Sequence, residues 1–377
     1  MIQRIIGDMI SAAKGSRKAI VVMGARQVGK TTLLKALFQD KKYQDKVLWL
    51  SGDEIDVRDL FKDISSTRLK SILGNATILV IDEAQRIENI GLKLKLVTDY
   101  IPDVQVIATG SSSFELSEKI REPLTGRKFE MKMFPLTFGE MVTHLGLLDE
   151  MRLLPHRLVY GYYPEVVTSV GSEKTILREL SDSYLYRDVL TLDGIKKSDH
   201  ILNLLKALAY QIGSQVSYNE LAQLVGLDSK TVEKYITILE KAFVVFRLPS
   251  FARNARNELK SSRKVYFWDL GIRNALIANF AQIENRTDVG ELWENFVIAE
   301  RMKKLSYQNS FTHSWFWRNQ QQNEIDYLEE EDGILKAFEF KWNIKKSKVK
   351  CPDSFIRAYP DAQFSVITPQ NVDGFLL

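Results

Sequence analysis

The sequence predicts an α/β chain: a parallel sheet closing on a glycine-bearing turn, then a helical region, then a small second α/β fold. Three observations carry this. Short β-branched runs in the first third end in Gly, Ser, Thr, Asp or Glu; residues 201–248 place three helices close together before a strand; residues 291–342 follow a helix with alternating strands. At 377 residues, 45% hydrophobic and 27% charged, the chain has the composition of a globular protein of two or three domains. No apolar run approaches the ~18 residues of a membrane span, so no membrane partner is expected. Cys351 is the one cysteine, which excludes an intramolecular disulfide, and four scattered histidines argue against a histidine metal site. A cytoplasmic location is expected. A net charge of +4 permits nucleic-acid contact without requiring it.

Ile2, Ile5, Ile6, Met9 and Ile10 fall at helical spacing, predicting an amphipathic N-terminal helix rather than a signal peptide. Ala19 to Met23 reads as a buried strand. It runs into Gly24-Ala25-Arg26-Gln27-Val28-Gly29-Lys30-Thr31, which fits the P-loop pattern at each fixed position. Gly24 and Gly29 allow backbone conformations that turn successive N–H groups inward as an anion nest. Thr31-Thr32 then opens a helix whose N-terminus favours phosphate. ATP is the expected ligand, with Lys30 at the β and γ phosphates and the Thr31 hydroxyl on Mg2+.

A second strand, Ile78 to Ile81, ends in Asp82-Glu83. Asp82 is the expected magnesium ligand, and Glu83 the residue that orients and deprotonates the attacking water. A third strand, Val104 to Ala108, ends in Thr109-Gly110-Ser111-Ser112-Ser113. Thr109 and Ser111 either sense the γ phosphate or, with their neighbours, cap a helix. Arg127, or Arg121, is either an arginine finger for a neighbouring subunit or a surface residue.

The segments GARQVGKTT, VIDEAQR, VIATGSSS and PLTFGE (Pro135 to Glu140) resemble the prokaryotic AAA-type ATPases of the archaeal and bacterial ATP-binding group, which carry a C-terminal domain of unknown function. The resemblance runs along nearly the whole chain. It implies an AAA-type P-loop sheet with an additional strand, a catalytic glutamate at Glu83, and a homo-oligomer. The Asp82-Glu83-Ala84-Gln85 run is also similar to a helicase box, but no second set of helicase motifs follows.

Residues 141–198 read as connecting helices, with a break at Gly161-Tyr162-Tyr163-Pro164-Glu165. The tyrosines around Tyr184 and Tyr186 either pack internally or touch the nucleotide or a neighbour. From Ile201 the rhythm is helix-turn-helix, with the capping-box spacing Ser217 to Glu220 and inter-helix contacts from Leu221, Ala222 and Leu227. A winged helix over 199–265 follows, with DNA as candidate partner. Its second helix offers Ser229, Lys230, Thr231, Lys234 and Tyr235, and Arg253, Arg256, Lys260, Arg263 and Lys264 form either a phosphate-contacting cluster or a solvated loop. A protein-contact or lid role is the alternative.

In 266–377, a helix bearing Glu294 precedes a hairpin of Trp315–Arg318 with Asn323–Leu328, and then the strand Ala337–Trp342. Asp326 followed by Glu339-x-Lys341 resembles the restriction-endonuclease-like fold. That likeness implies a second magnesium or manganese ion on Asp326, Glu339 and Glu294, with Lys341 activating water. Glu324 reads as a supporting residue, and an inactive nuclease fold is the alternative. The division expected is thus 1–140 for the ATPase core, 141–198 for the connecting helices, 199–265 for the winged helix and 266–377 for the nuclease-like fold.

Overall fold

The computed structural model describes residues 2–111, 120, 123–184, 198–252, 262–343 and 349–377. Ser112, Ser113, Arg121, Tyr186, Arg253, Arg256 and Lys260, singled out above, lie outside the described residues, as does the side chain of Tyr184. The chain forms two compact units: Met1–Pro135 with Lys241–Phe243, and Leu136–Glu240 with Val244–Leu377.

The first unit runs α1 (Ile5–Ala13), β1 (Ala19–Gly24), α2 (Lys30–Leu37), β2 (Val47–Ser51), α3 (Ile55–Lys62), α4 (Ser66–Leu73), β3 (Ile78–Asp82), α5 (Ile90–Tyr100), β4 (Gln105–Gly110) and β5 (Lys128–Met133). The sheet order is β2-β3-β4-β1-β5, every neighbour parallel. All residues of β1, β3 and β4 are buried, which is why these strands read as unbroken apolar runs instead of alternating ones. Each fully buried Val or Ile there contributes roughly 1.5–3 kcal/mol. Pairing of Met23 with Gly110, and of Ile81 with Ala108, brings the carboxyl ends of β1, β3 and β4 to one edge. Ligands bind at that edge in open α/β sheets.

The second unit begins with α6 (Phe138–Leu145), α7 (Leu147–Tyr160), α8 (Pro164–Thr168) and α9 (Glu173–Tyr184). The PLTFGE segment is a helix start. Thr137 Oγ1 accepts from the Glu140 amide at 3.1 Å while Glu140 Oε2 accepts from the Thr137 amide at 2.9 Å, a reciprocal capping box on α6. The break at Gly161 has φ 72°, and a Cβ there would lie 2.3 Å from Asp269 Oδ1. Only glycine admits that approach, and it lets Asp269 accept from the Tyr162 amide at 2.6 Å.

Next come α10 (Ser198–Tyr210), β6 (Gln215–Val216), α11 (Tyr218–Val225), α12 (Ser229–Lys241), β7 (Val245–Pro249) and β8 (Arg263–Phe267). The three strands form an antiparallel sheet of order β6-β8-β7. Leu221 and Ala222 are buried and Leu227 half-buried, and Ser217 caps α11 by accepting from the Glu220 amide at 3.4 Å. The chain then follows α13 (Leu270–Leu276), α14 (Val289–Tyr307), β9 (His313–Arg318), β10 (Glu324–Glu331), β11 (Ile334–Phe340), α15 (Asp353–Ala358), β12 (Gln363–Ile367) and α16 (Val372–Leu376). The last sheet is ordered β12-β11-β10-β9, antiparallel except for β11 with β12. Asp332 and Gly333, with φ of 52° and 78°, make the two-residue turn between β10 and β11.

Candidate nucleotide site and C-terminal acidic cluster

The turn from β1 to α2 is built by its glycines. Gly24 passes so near β5 that a Cβ would lie 2.1 Å from the Met133 carbonyl oxygen, and Gly29 caps α2 with φ 94°. Gln27 is also left-handed, at φ 58°. Lys30 is 6% exposed and folds back to donate to the Gly24 and Ala25 carbonyls at 2.9 and 2.8 Å. Ala25 and Val28 are buried, Arg26 is half-buried, and Gln27 and Thr32 are exposed.

Asp82 is the hub of the polar edge. Its Oδ2 accepts from Thr31 Oγ1 at 2.8 Å, and its Oδ1 accepts from Thr109 Oγ1. Thr109 also accepts from the Glu83 amide at 3.2 Å. Thr31 and Asp82 therefore present adjacent hard oxygen donors, the set that suits magnesium. Glu83 sits in the left-handed region at φ 47°, a strained conformation typical of functional positions. Gln85 Nε2 donates to Glu83 Oε2 at 2.6 Å and to Ser111 Oγ at 3.1 Å. Thr31, Asp82, Glu83, Thr109 and Ser111 are thus brought into one network.

Arg127 is not part of it. Its amide and carbonyl lie where β1 and β5 begin, the carbonyl accepting from the Ala19 amide at 2.9 Å, and its guanidinium pairs with Asp99 at 2.7 Å. A finger role therefore requires another subunit's nucleotide.

Sequence reasoning missed two residues here. Gln85 lies within the quoted motif but was given no role, although it fixes the Glu83 carboxylate. Arg4, 6% exposed, donates to the Val28 and Phe134 carbonyls at 2.8 and 2.7 Å, bracing the P-loop from α1's N-cap position. A charged residue interrupting an otherwise apolar helix start was the available signal.

The second unit gathers the C-terminal carboxylates around a lysine. Lys264 on β8 is 1% exposed. Its Nζ donates to Glu294 Oε1 at 2.9 Å and pairs with Glu324. Tyr266 Oη donates to the same Glu294 oxygen at 2.5 Å. Burial alone would lower the Lys264 pKa, but Glu294, Glu324 and Asp326 outweigh it and raise it above the ordinary lysine value. This corrects the expectation that Lys264 joins an exposed phosphate-binding cluster: its charge is already matched inside the fold.

Asp326 lies where the β9–β10 register shifts, an irregularity that re-aims side chains. Its Oδ2 accepts from the Phe340 amide at 2.8 Å. Burial, with Glu294 and Glu339 nearby, pushes its carboxyl well above the usual range, while Lys264 pulls the other way. Glu339 Oε1 accepts from Lys341 Nζ at 2.7 Å. Among the described residues no three His, Cys, Asp or Glu side chains are placed to hold one metal ion. Glu294 itself is engaged by the Lys264 ammonium.

Comparison with known proteins gives three family matches along the chain. Residues 16–142 match the AAA domain family, 151–287 a domain of unknown function (DUF8612) and 289–373 a domain of unknown function (DUF4143). An uncharacterized protein of Haemophilus influenzae is 28% identical over 313 residues, covering 75% of this chain and 74% of that one. One from Methanocaldococcus jannaschii is 24% identical over 383 residues, covering 95% and 83%. Among solved structures, domain III of the Thermotoga maritima replication initiation protein DnaA overlaps 59% of this chain and 88% of its own, at 16% identity and TM-score 0.30. Pif1 helicase from Candida albicans overlaps 48% of each chain at 14% identity and TM-score 0.27, so this chain spans about half of that protein. The first unit carries an AAA-type P-loop domain, and its α/β class rests on the parallel five-stranded sheet and the AAA match. Among the described residues no helix is long and apolar enough to cross a membrane.

Proposed function

We propose that this chain is a magnesium-dependent ATPase whose nucleotide state governs DNA engagement by its second unit. The observation that carries the reading is the convergence of Thr31, Asp82, Glu83 and Thr109 at the strand ends beside the Lys30 loop. Lys30 exchanges its two carbonyl partners for the β and γ phosphates. Thr31 and Asp82 would hold a magnesium ion, which would supply charge neutralisation at the phosphates. Glu83, steadied by Gln85, takes a proton from the water that attacks the γ phosphorus as the bond to the ADP oxygen breaks. Thr109, bonded to both Asp82 and the Glu83 backbone, reports the state of the γ phosphate to β4.

The DNA side of the reading is supported by the helix-strand order of 199–265, which is that of a winged helix, and by the exposure of Lys230 and Lys234 on α12. The four-part division at residues 140, 198 and 265 belongs to the same reading, as does assembly into a homo-oligomer in which Arg127 reaches a neighbour's nucleotide. DNA-stimulated ATP turnover, abolished by Lys30→Ala, is the expected result; turnover indifferent to DNA refutes the coupling.

Cleavage through Asp326, Glu339 and Lys341 is not part of the proposal, because buried Lys264 already supplies a cation to that cluster. The same observation favours a second reading, a nucleotide-dependent scaffold with an inactive nuclease-like fold that binds protein. It predicts nucleotide-dependent assembly without salt-sensitive DNA affinity.

A further inference from the structure

The amino-terminal edge of the first unit's sheet, at the ends of β3 and β4 opposite the P-loop edge, holds a cavity of about 410 Å3 lined by Lys14, Arg17, Lys42, Tyr43, Lys46 and Asp103, among others. Four cations face one carboxylate in that lining. The turns carrying them are tied to the sheet. Gln105, 7% exposed, accepts from the Gly15 amide at 3.0 Å and donates to the Lys18 carbonyl at 2.7 Å, which fixes the turn bearing Arg17. Arg17 itself is held left-handed at φ 62°. The Lys46 carbonyl accepts from the Thr77 and Ile78 amides at 2.9 and 3.0 Å, which anchors the opposite wall to β3.

Lys14 donates to Tyr43 Oη and sits 4.4 Å from its ring centroid, and Lys42 sits 5.0 Å from the same centroid. Lys42 also pairs with Asp40 at 3.3 Å. Arg17 and Lys46 are exposed and have no carboxylate within ion-pair distance among the described residues. Like charges gathered on rigid turns repel one another, and an anion relieves that repulsion.

We propose that this cavity is a contact site for the phosphodiester backbone of a nucleic-acid strand. The donors are long side chains spread around an open mouth, unlike the inward amides of the P-loop, and this suits successive phosphates better than one enclosed phosphate. The site lies in the ATPase unit, so it is distinct from α12 and does not depend on the winged-helix reading.

The test is anisotropy of labelled single- and double-stranded DNA with the full chain over a range of salt. Wild type is compared with Arg17→Glu/Lys42→Glu/Lys46→Glu and, to separate the contribution of α12, with Lys230→Glu/Lys234→Glu. The three changed side chains are exposed and remote from the P-loop, so ADP binding reports an intact fold. The expected result is a loss of at least about tenfold in DNA affinity in the triple variant, with the log–log salt slope smaller by roughly 2–3 for duplex. Wild-type affinity and slope in the triple variant overturn the proposal, as does a wild type that binds neither strand. A triple variant that loses binding of inorganic phosphate but keeps DNA binding overturns it too, by making the cavity a small-anion site.

Discussion

Replacing Lys264 with methionine tests how the C-terminal cluster is held together. Methionine keeps an unbranched stem beside Phe316, whose ring lies 5.4 Å from Nζ, and removes the ammonium that Glu294 and Glu324 share. Removing one partner of a buried pair costs about 3–5 kcal/mol, because the charge left behind is uncompensated. At 2–4 °C per kcal/mol for a unit of this size, its melting transition should fall by roughly 6–20 °C. The loss should depend on pH. Without the Lys264 charge, which pulls the folded Asp326 carboxyl down against burial, Glu294 and Glu339, that carboxyl rises further above its ordinary value, so the folded state binds more protons over the window between the two values. The variant's stability then drops as pH rises through the window, and its deficit against wild type shrinks on acidification towards pH 4. Calorimetry between pH 4 and 8, with Lys264→Met/Glu294→Gln as a partial rescue, reads this out. A variant within about 1 kcal/mol of wild type at neutral pH, with the same pH slope, would refute the reasoning.

Three further predictions follow from the same contacts. Arg4→Ala leaves the Val28 and Phe134 carbonyls without their charged donor; at about 1–3 kcal/mol per unsatisfied buried group, the first unit should melt earlier and ADP should bind more weakly by calorimetry. Asp326→Asn removes a carboxyl whose folded pKa is raised by burial and by Glu294 and Glu339. A raised acid loses stability as pH climbs above its unfolded value, so the variant should be more stable than wild type at pH 8 and its advantage should vanish at low pH in urea melts. Gln85→Ala frees the Glu83 carboxylate; ATP affinity should hold while turnover falls roughly 10–100-fold, the cost of misplacing a catalytic group.

What could be read from the sequence was local along the chain. The P-loop motif occupies eight consecutive positions, Gly24 to Thr31, and Asp82 and Thr109 close apolar runs, so the strand pattern placed them at one sheet edge. The Asp332-Gly333 pair is a two-residue hairpin signal of the same local kind. What escaped was set by tertiary distance. Arg4 meets a carbonyl 130 residues away, and Lys264 meets a glutamate 30 residues on; neither partner has a spacing that a sequence pattern can carry. Charge alone made Lys264 look like a solvated phosphate contact, and only its burial between two glutamates reversed that reading. The PLTFGE segment stood out through family resemblance, yet its structural content is a capping box and a tight helix start.

The central claim is that Glu83 works on water beside a nucleotide held by Lys30 and Thr31. Steady-state ATP hydrolysis with magnesium, measured beside equilibrium ATP binding for wild type, Lys30→Ala and Glu83→Gln, tests it most directly. The account predicts that Glu83→Gln binds ATP as wild type does while its turnover falls about 10²–10⁴-fold, and that Lys30→Ala loses binding. Undiminished turnover in Glu83→Gln, or a wild type that binds no nucleotide, would contradict it.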